Sequence, residues 1–313
     1  MKKQKNKSAL ASPNSKLRQA AKSYQLYIML IPFVLYFILF AYRPMAGLVI
    51  AFKKYSVYGG ISGSPWVGFD NFTSFFNGPY FGRLIKNTVI ISLYQLAFGF
   101  PASIVLALLL NEVKNKFFKS TVQTLTYIPH FISVVVIAGI VTNFLSPSNG
   151  IINIIIEALG GEKTYFLSQA KYFRTIYTTM TIWAGLGYST IVYLSSLSGI
   201  DQQLYEACMI DGGGKLRQLW HVTLPGILPT IVILFIIRIG SIMNVGYETI
   251  ILLYQPSTYE TADIINTYVY RMGMEQGNYS LAAAVGLFNS VIGFVLVMAT
   301  NKISNKVTGA GLW

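Results

Sequence analysis

The chain has 313 residues, of which 53% are hydrophobic and only 11% are charged. Soluble domains carry about 25% charged residues, so this composition excludes a soluble globular protein and indicates one membrane domain. The net charge of +13 is spread over short segments that do not interleave basic with aromatic residues, which argues against nucleic acid as a partner. The single cysteine, Cys208, excludes an intrachain disulfide framework.

The N-terminal segment predicts the orientation of the chain. Seven lysines and arginines, and no acidic residue, precede the first apolar run. By the positive-inside rule we expect residues 1–23 to be a basic cytoplasmic N-terminus. A cleaved signal peptide is the alternative, but Tyr42, Arg43 and Pro44 follow the apolar run where a cleavage site needs small residues.

Six apolar stretches approach or exceed the roughly 20 residues that cross a bilayer core of about 30 Å as a helix. We therefore predict an all-α membrane protein with about six transmembrane helices, spanning residues 24–304 and followed by a cytoplasmic tail at 305–313. The same topology places residues 200–225 in the cytoplasm. The predicted spans are Leu26–Ala41, Thr88–Leu110, Val122–Leu145, Thr175–Leu197, Ile227–Tyr254 and Leu281–Thr300.

The connections predicted to lie outside the membrane are long. Arg43–Asn87 contains glycines and a prolyl turn, and Ser146–Arg174 and Gln255–Ser280 are rich in tyrosine and phenylalanine. Structureless loops of this length are uncommon in compact domains. We therefore expect Arg43–Asn87 to have structure of its own or to dock on a partner, and the aromatic residues of the other two to act as interfacial anchors or binding surfaces.

The segment 206–225 carries the strongest functional signal. Helix-favouring residues run up to Asp211, three glycines follow, and a second short helix is predicted from Lys215 to just before Pro225. Glycine permits the backbone angles of a sharp turn between the two helices. An apolar helical surface outside the membrane fits a groove on a partner. The residues spaced to form that face are Leu216, Leu219, Trp220 and Thr223.

This segment resembles the EAA loop of bacterial ABC importer permeases, whose pattern is Glu-Ala-Ala, three residues, Gly, nine residues, then Ile-x-Leu-Pro. Cys208 and Val222 replace the second alanine and the isoleucine conservatively, and Asp211 and Trp220 stand where such loops carry an acid and an aromatic residue. An ordinary amphipathic connector is the alternative. The matching positions are Glu206, Ala207, Gly212, Leu224 and Pro225.

In that family the loop is the coupling helix, which sits in a cleft of a separate ATPase subunit and passes its movement to the membrane helices. The resemblance implies this role for residues 200–225. Glu206 can make a charge-assisted hydrogen bond, and Ala207 allows close backbone approach. The residues expected to couple to the ATPase are Glu206, Ala207, Asp211, Gly212, Leu219, Trp220 and Pro225.

The resemblance extends over most of the chain and is to the LplB-type branch of the maltose-permease-like sugar importers. It is carried by Asn87-Thr88, 98–101, 108–112, 127–131, 259–263 and Leu312-Trp313. That branch is associated with oligosaccharides and polysaccharide fragments, some of them uronate-bearing. It implies a bacterial inner-membrane heterodimer with a second homologous permease, two ATPase subunits that hold ATP and Mg, and an extracellular sugar-binding protein. No cofactor is expected in this chain.

The sequence lacks an ATPase or enzyme motif of its own. Gly214-Lys215 suggests a phosphate-binding loop, but Leu216 replaces the required Ser or Thr and Met209 stands at the first glycine position. Energy must therefore come from another polypeptide. The two histidines, His130 and His221, lack metal-site spacing, so no metal is expected.

Polar side chains inside the predicted spans mark candidate functional positions, because they are costly at membrane depth. Four of them in the fifth span fall within roughly 120° of one helical face. Arg238 would offer a fork to a sugar carboxylate, and Tyr247 a stacking face. A salt bridge between Arg238 and Glu248 that only holds helices together is the alternative. The proposed pathway residues are Arg238, Ser241, Asn244, Tyr247, Glu248 and, in the fourth span, Tyr188.

A different class of function also remains open from these residues. A secondary transporter or channel could use Arg238 and Glu248 as a charge relay. Such carriers commonly show internal repeats and paired broken helices, and the sequence indicates neither.

Overall fold

The computed structural model describes residues 24–309, 311 and 312, so the basic segment 1–23 lies outside the described residues. The described part is helical, and its β pairing is an isolated bridge between Lys53 and Trp66. The helices are α1 (Tyr24–Phe52), α2 (Gly60–Gly63), α3 (Asp70–Phe76), α4 (Phe81–Glu112), α5 (Lys116–Phe131), α6 (Val134–Phe144), α7 (Ile151–Ala158), α8 (Ala170–Ser198), α9 (Gln202–Ile210), α10 (Lys215–Gly240), α11 (Tyr247–Leu253), α12 (Tyr259–Ala262), α13 (Ile265–Tyr270) and α14 (Tyr279–Thr308).

The prediction of an all-α membrane protein is confirmed. Four described helices, α1, α4, α10 and α14, are long and apolar enough to cross a membrane, and the bent pair α5–α6 makes a fifth span. The more polar α8 has 29 residues, enough to extend about 43 Å at 1.5 Å per residue. Each of the six predicted spans thus has a helix or a helix pair in the structure.

The third span was predicted as one helix over Val122–Leu145, and this is wrong. α5 and α6 meet at an angle of 104°. Pro129 cannot donate a backbone hydrogen bond, and a 3₁₀ turn at Ile128–Phe131 ends α5. α6 then starts afresh with Ser133 as its N-cap, whose side chain accepts a hydrogen bond from the Val136 amide.

The fifth span was predicted as one helix over Ile227–Tyr254, and this too is wrong. α10 ends at Gly240, residues 241–246 are unwound, and α11 starts at Tyr247. Gly240 lies so close to α14 that a Cβ atom there would be 2.5 Å from Val297, and a Cβ at Gly293 would be 3.3 Å from the Gly240 carbonyl. The backbones of α10 and α14 therefore approach closely where α10 ends.

The core forms around α8, which packs against the second half of α4, against α5 and against α10. Its side chains Phe173, Tyr177 and Tyr193 are almost completely buried. By contrast, the most apolar part of α1 has no residue buried in this chain, and only its last turns, from Ala46, pack on α14. The bundle therefore packs around the central helix α8, whereas most of α1 makes no packing contact with the bundle.

The segment between the first two spans has the structure of its own that its length predicts. α1 continues to Phe52, and α2 and α3 follow before α4 starts at Phe81. The Asn71 side-chain amide donates to the carbonyls of Ala51 and Lys53 at 2.8 and 3.1 Å. Phe52 stacks on Trp66, with ring centroids 5.6 Å apart. These contacts fold the segment back onto the end of α1.

Gly187 provides a stability test of the contact between α8 and α5. A Cβ atom there would overlap the Thr126 carbonyl, whereas one at Gly185 on the same helix meets nothing within 4 Å. We expect Gly187→Ala to destabilise the protein by about 1–3 kcal/mol through overpacking. Gly185→Ala should be neutral or slightly stabilising, because alanine favours a helix over glycine. Thermal unfolding of the purified protein in detergent measures both, and equal melting temperatures for the two variants would contradict the contact.

Candidate functional site

The bundle contains a cavity of about 560 Å³ between α4, α8, α10 and the unwound segment 241–246. Apolar side chains form most of its wall, with polar groups from each of these elements. Ligand sites typically combine apolar walls with a few convergent polar groups in this way. The polar lining residues are Ser92, Gln95, Ser103, Tyr177, Thr181, Tyr188, Ser189, Tyr193, Arg238, Ser241, Asn244 and Thr249.

Arg238 is the charged residue among those that line the cavity. Its guanidinium donates to the Gln95 side-chain oxygen at 2.8 Å, and the Gln95 amide in turn donates to the Thr181 hydroxyl. The ion pairs among the described residues do not include Arg238, so the salt bridge to Glu248 that the sequence left open is absent there. Arg238 is held by neutral groups and keeps its positive charge available to the cavity.

The unwound segment 241–246 changes which predicted residues reach the cavity. The single helical face predicted for Arg238, Ser241, Asn244 and Glu248 is wrong, because α10 ends before Ser241. Arg238, Ser241 and Asn244 still line the cavity, since the break turns the chain across it. Glu248 and Tyr247 do not line it; both are exposed at the start of α11, where Tyr247 lies near the Tyr270 ring.

Neighbouring helices hold the break in place through its backbone carbonyls. The Ser92 hydroxyl on α4 donates to the Ile242 carbonyl. On α14, Asn289 is 3% exposed, and its amide donates to the Met243 carbonyl at 3.2 Å and to the Asn244 side chain at 3.0 Å. Asn244 is therefore fixed in position. Sequence reasoning missed Asn289, although a lone asparagine in an apolar span is itself a signal of a buried partner.

Tyr188 lines the cavity from α8 and is stacked on His130. The two ring centroids are 3.9 Å apart and the rings are within 6° of parallel. His130 lies in the turn that ends α5, so the bend of the third span brings it to Tyr188. The ring pair adds an aromatic wall to the polar groups of the cavity.

The segment 200–225 has the two-helix form that its sequence predicts. Asp201 caps α9 by accepting from the Gln203 amide at 2.9 Å. Gly212 has a φ of +75°, which favours glycine, and Gly213 is packed so closely that a Cβ atom would be 2.5 Å from the Cys208 sulfur. α10 then begins at Lys215. Gly212 and Gly213 are thus required by the turn itself.

The second helix of this segment was predicted to stop before Pro225, and it does not. It continues through a π-helical turn at Leu219–Thr223 into the rest of α10. Pro225 falls in the first turn after the π-helical turn, where its missing amide hydrogen is tolerated. The Thr223 hydroxyl donates to the Gln218 carbonyl at 3.3 Å across the turn. The second helix of the segment and the first part of the fifth span, up to Gly240, therefore form one continuous helix.

α9 and the start of α10 present an exposed apolar surface. Trp220 is 65% exposed, Glu206 and Ala207 are exposed beside it, while Leu219 is half-buried. Exposed apolar patches of this kind mark interaction sites. The large apolar residues of this coupling surface are Leu204, Met209, Ile210, Leu216 and Trp220.

Two contacts tie the coupling surface to the bundle. Lys215 at the start of α10 forms an ion pair of 2.8 Å with Glu112 at the end of α4. The hydroxyls of Tyr205 on α9 and Thr223 on α10 are 3.1 Å apart. α9 and α10 are thus joined to one another and to α4.

Sequence reasoning also missed a charged network at the opposite end of the bundle. Asp263 is fully buried and accepts from Arg83 at 3.0 Å and from Arg271 at 2.8 Å. Asn87, also fully buried, donates to the Asp263 carbonyl at 3.0 Å and accepts from Arg174 at 2.9 Å. These partners are up to 180 residues apart in the chain, so no local pattern reveals the network.

Comparison with known proteins shows which family and which relatives this chain resembles. The family of binding-protein-dependent transport system inner membrane components matches residues 99–309. Protein LplB of Bacillus subtilis (strain 168) is 46% identical over 288 residues, covering 92% of this chain and 91% of LplB. The polygalacturonan/rhamnogalacturonan transport system permease protein YteP of the same organism is 45% identical, covering 92% and 90%.

A solved structure matches as well. A chain of the bacterial alginate ABC transporter, in complex with an alginate pentasaccharide-bound periplasmic protein, superimposes with a TM-score of 0.87 at 44% identity and covers 94% of this chain and 99% of that one. The resemblance inferred from the segment 206–225 is therefore confirmed. The chain belongs to the family of binding-protein-dependent transport system inner membrane components.

Proposed function

We propose that this chain is the permease subunit of an ATP-driven importer that takes up oligosaccharides or polysaccharide fragments, including uronate-bearing ones. One observation carries the proposal. α10 starts in the coupling surface and ends at the cavity, so a single helix joins the two. From Trp220 to Arg238 it extends about 27 Å at 1.5 Å per residue. A push at one end is therefore delivered to the other without a flexible joint.

The coupling surface is proposed to bind a separate ATPase subunit, which holds ATP and Mg. Leu216 and Trp220 would fill an apolar cleft, and Glu206 would make a charge-assisted hydrogen bond at its edge. ATP-driven closure of two such subunits would then shift the population between inward-open and outward-open bundles. This chain contributes the lever and the pathway, and the chemistry of hydrolysis belongs to the partner.

The remaining partners follow from the same proposal. A second homologous permease would complete the pathway, and lipid together with that permease would cover the exposed face of α1. The charge distribution supports a cytoplasmic location for residues 1–23 and 200–225. An extracellular sugar-binding protein would then dock on the outer segments 43–87 and 255–280. The match to an alginate transporter solved with its periplasmic protein supports this arrangement.

Substrate selection is proposed to involve the cavity. Arg238 offers a charged fork to a sugar carboxylate, Ser241 and Asn244 offer hydrogen bonds to hydroxyls, and Tyr188 offers an aromatic face. The match to YteP, a polygalacturonan/rhamnogalacturonan transport permease, supports an acidic sugar. Tyr247 and Glu248 lie off the cavity wall, so they would contact a sugar only outside the cavity.

The coupling role makes a specific prediction for the complete complex. Glu206→Ala and Gly212→Pro should each lower sugar-stimulated ATP hydrolysis by about tenfold or more, because coupling of about 1.4 kcal/mol is lost. Gly214→Ala is the control, since Gly214 has a φ of −73° and a Cβ there meets nothing within 4 Å. Full stimulation in both variants, with the ATPase still bound, would refute the coupling role.

The cavity makes a separate prediction. Arg238→Gln should reduce uptake of an acidic oligosaccharide by about tenfold or more, because a charge-assisted hydrogen bond contributes about 1.5–3 kcal/mol. Ser290→Ala serves as the control, because Ser290 is exposed on α14 and its hydroxyl bonds only to the Gly286 carbonyl of the same helix. Uptake is measured with the complex in proteoliposomes. Unchanged uptake in Arg238→Gln would remove Arg238 from the pathway.

A further inference from the structure

The charged network at the end of the bundle opposite the coupling surface contains more positive charge than it neutralises. Arg83 and Arg271 both donate to the one carboxylate of Asp263, and Thr267 donates to it as well at 2.9 Å. Arg174 is joined to the same network only through the neutral side chain of Asn87. The network thus contains three guanidinium groups and one carboxylate, and it has a net charge of +2.

The arginines of this network are not fully satisfied by their neighbours. Among the described residues, the Nε atoms of Arg83 and Arg174 and one terminal nitrogen of Arg271 are buried without a hydrogen-bond partner. Burial acts to lower the pKa of Arg271, but the hydrogen bond to Asp263, the charge of that carboxylate and the nearby Tyr259 and Tyr254 together outweigh it, and the pKa is raised above its ordinary value. Arg271 therefore keeps its charge. Unneutralised charge in a partly buried site favours an anion.

The network lies beside the cavity, towards the outer side in the proposed orientation. Arg174 is three residues from Tyr177, which lines the cavity, a rise of about 4.5 Å along α8. Asn87 is five residues from Ser92, or about 7.5 Å along α4. Arg83 has a side chain that is 32% exposed, so part of the network faces solvent. An anion entering from outside would pass this point before it reaches Arg238.

A purely structural role accounts for only part of this arrangement. Asp263 with Arg271 and Arg83 fixes the segment 255–280 to α4, and the buried Asn87 holds the carbonyls of Tyr259 and Glu260. One arginine would suffice to neutralise Asp263. Arg174 makes no ion pair among the described residues, and its hydrogen bond to the neutral Asn87 leaves its positive charge without a counter-charge.

We propose that Arg174 and Arg83 form an anion-binding position at the outer mouth of the pathway, which receives a carboxylate of an acidic oligosaccharide before the sugar reaches Arg238. This inference rests on the proposed function. The inference extends the proposed function by assigning two arginines to substrate selection outside the cavity. Because guanidinium groups bind carboxylates through paired hydrogen bonds, the position would discriminate between acidic and neutral sugars.

The test compares two charge-removing variants on the same helix. Arg174→Gln removes charge from the network, whereas Lys171→Gln, one turn earlier, removes an exposed charge that lies over the Tyr172 ring. The complete complex in proteoliposomes, with its binding protein, is given an acidic oligosaccharide or the same oligosaccharide with its carboxyl groups reduced. Initial uptake is measured below saturation and at two salt concentrations.

We expect Arg174→Gln to lower uptake of the acidic sugar by about tenfold and to weaken its salt dependence, while uptake of the reduced sugar stays within about twofold. Lys171→Gln should change neither. Equal losses for both sugars would assign Arg174 to the fold or to a lipid phosphate, and unchanged acidic uptake would likewise overturn the proposal. If the Arg174→Gln complex does not assemble, Arg174→Lys provides the test. We expect the Lys variant to lose the preference for the acidic sugar over the reduced sugar. A variant that retains this preference would refute the paired hydrogen bonds of Arg174. A wild-type complex that imports neither sugar would instead refute the proposed function.

Discussion

A helix that breaks inside a membrane must find partners for the backbone groups it exposes, because lipid supplies none. The break after Gly240 meets this constraint through side chains of two other helices. The Ser92 hydroxyl donates a hydrogen bond to the carbonyl of Ile242, and the Asn289 amide donates one to the carbonyl of Met243. The cavity depends on this arrangement. Without it the fifth span would continue as a helix, and the polar residues 241–246 would not cross the cavity wall.

The same break defines what α10 can transmit. The helix is continuous from Lys215 through the π-helical turn at Leu219–Thr223, so the exposed coupling surface and the cavity share one rigid element. The ion pair between Lys215 and Glu112 links this element to α4, which also lines the cavity. The exposed surface and the cavity wall thus involve the same two helices.

Local chemistry made the membrane class, the approximate positions of the spans and the two-helix form of segment 200–225 predictable. Gly212 has the positive φ that a glycine turn indicates, and Trp220 is exposed as its position on an apolar face suggests. The two broken spans were not predicted, because hydropathy reports how apolar a stretch is and not where its backbone bends. Pro129 is a sequence signal for one break, and Gly240 followed by Ser241 is a signal for the other. In a prediction based on hydropathy, neither signal outweighs the long apolar run in which it lies.

The remaining failures concern distant partners. A salt bridge from Arg238 to Glu248, ten positions away on an assumed straight helix, was one of the two alternatives left open, whereas the partner that Arg238 has, Gln95, belongs to another span. The network around Asp263 joins residues from three separate regions, and only the folded chain brings them together. Periodicity describes one helix at a time, so contacts between helices escape it.

The close approach of Gly240 to Val297 and Gly293 has a mechanical consequence. Gly240 and Gly293 carry no side chain at this contact, so the end of α10 is held close against α14. Trp220 lies about 30 Å from Gly240 along the helix, and Arg238 only about 3 Å from it. If the helix pivots at this contact, a displacement of several ångströms at Trp220 becomes a small displacement at Arg238 beside the cavity. Such a ratio of displacements suits a gate in which a few hydrogen bonds rearrange and no large movement is needed.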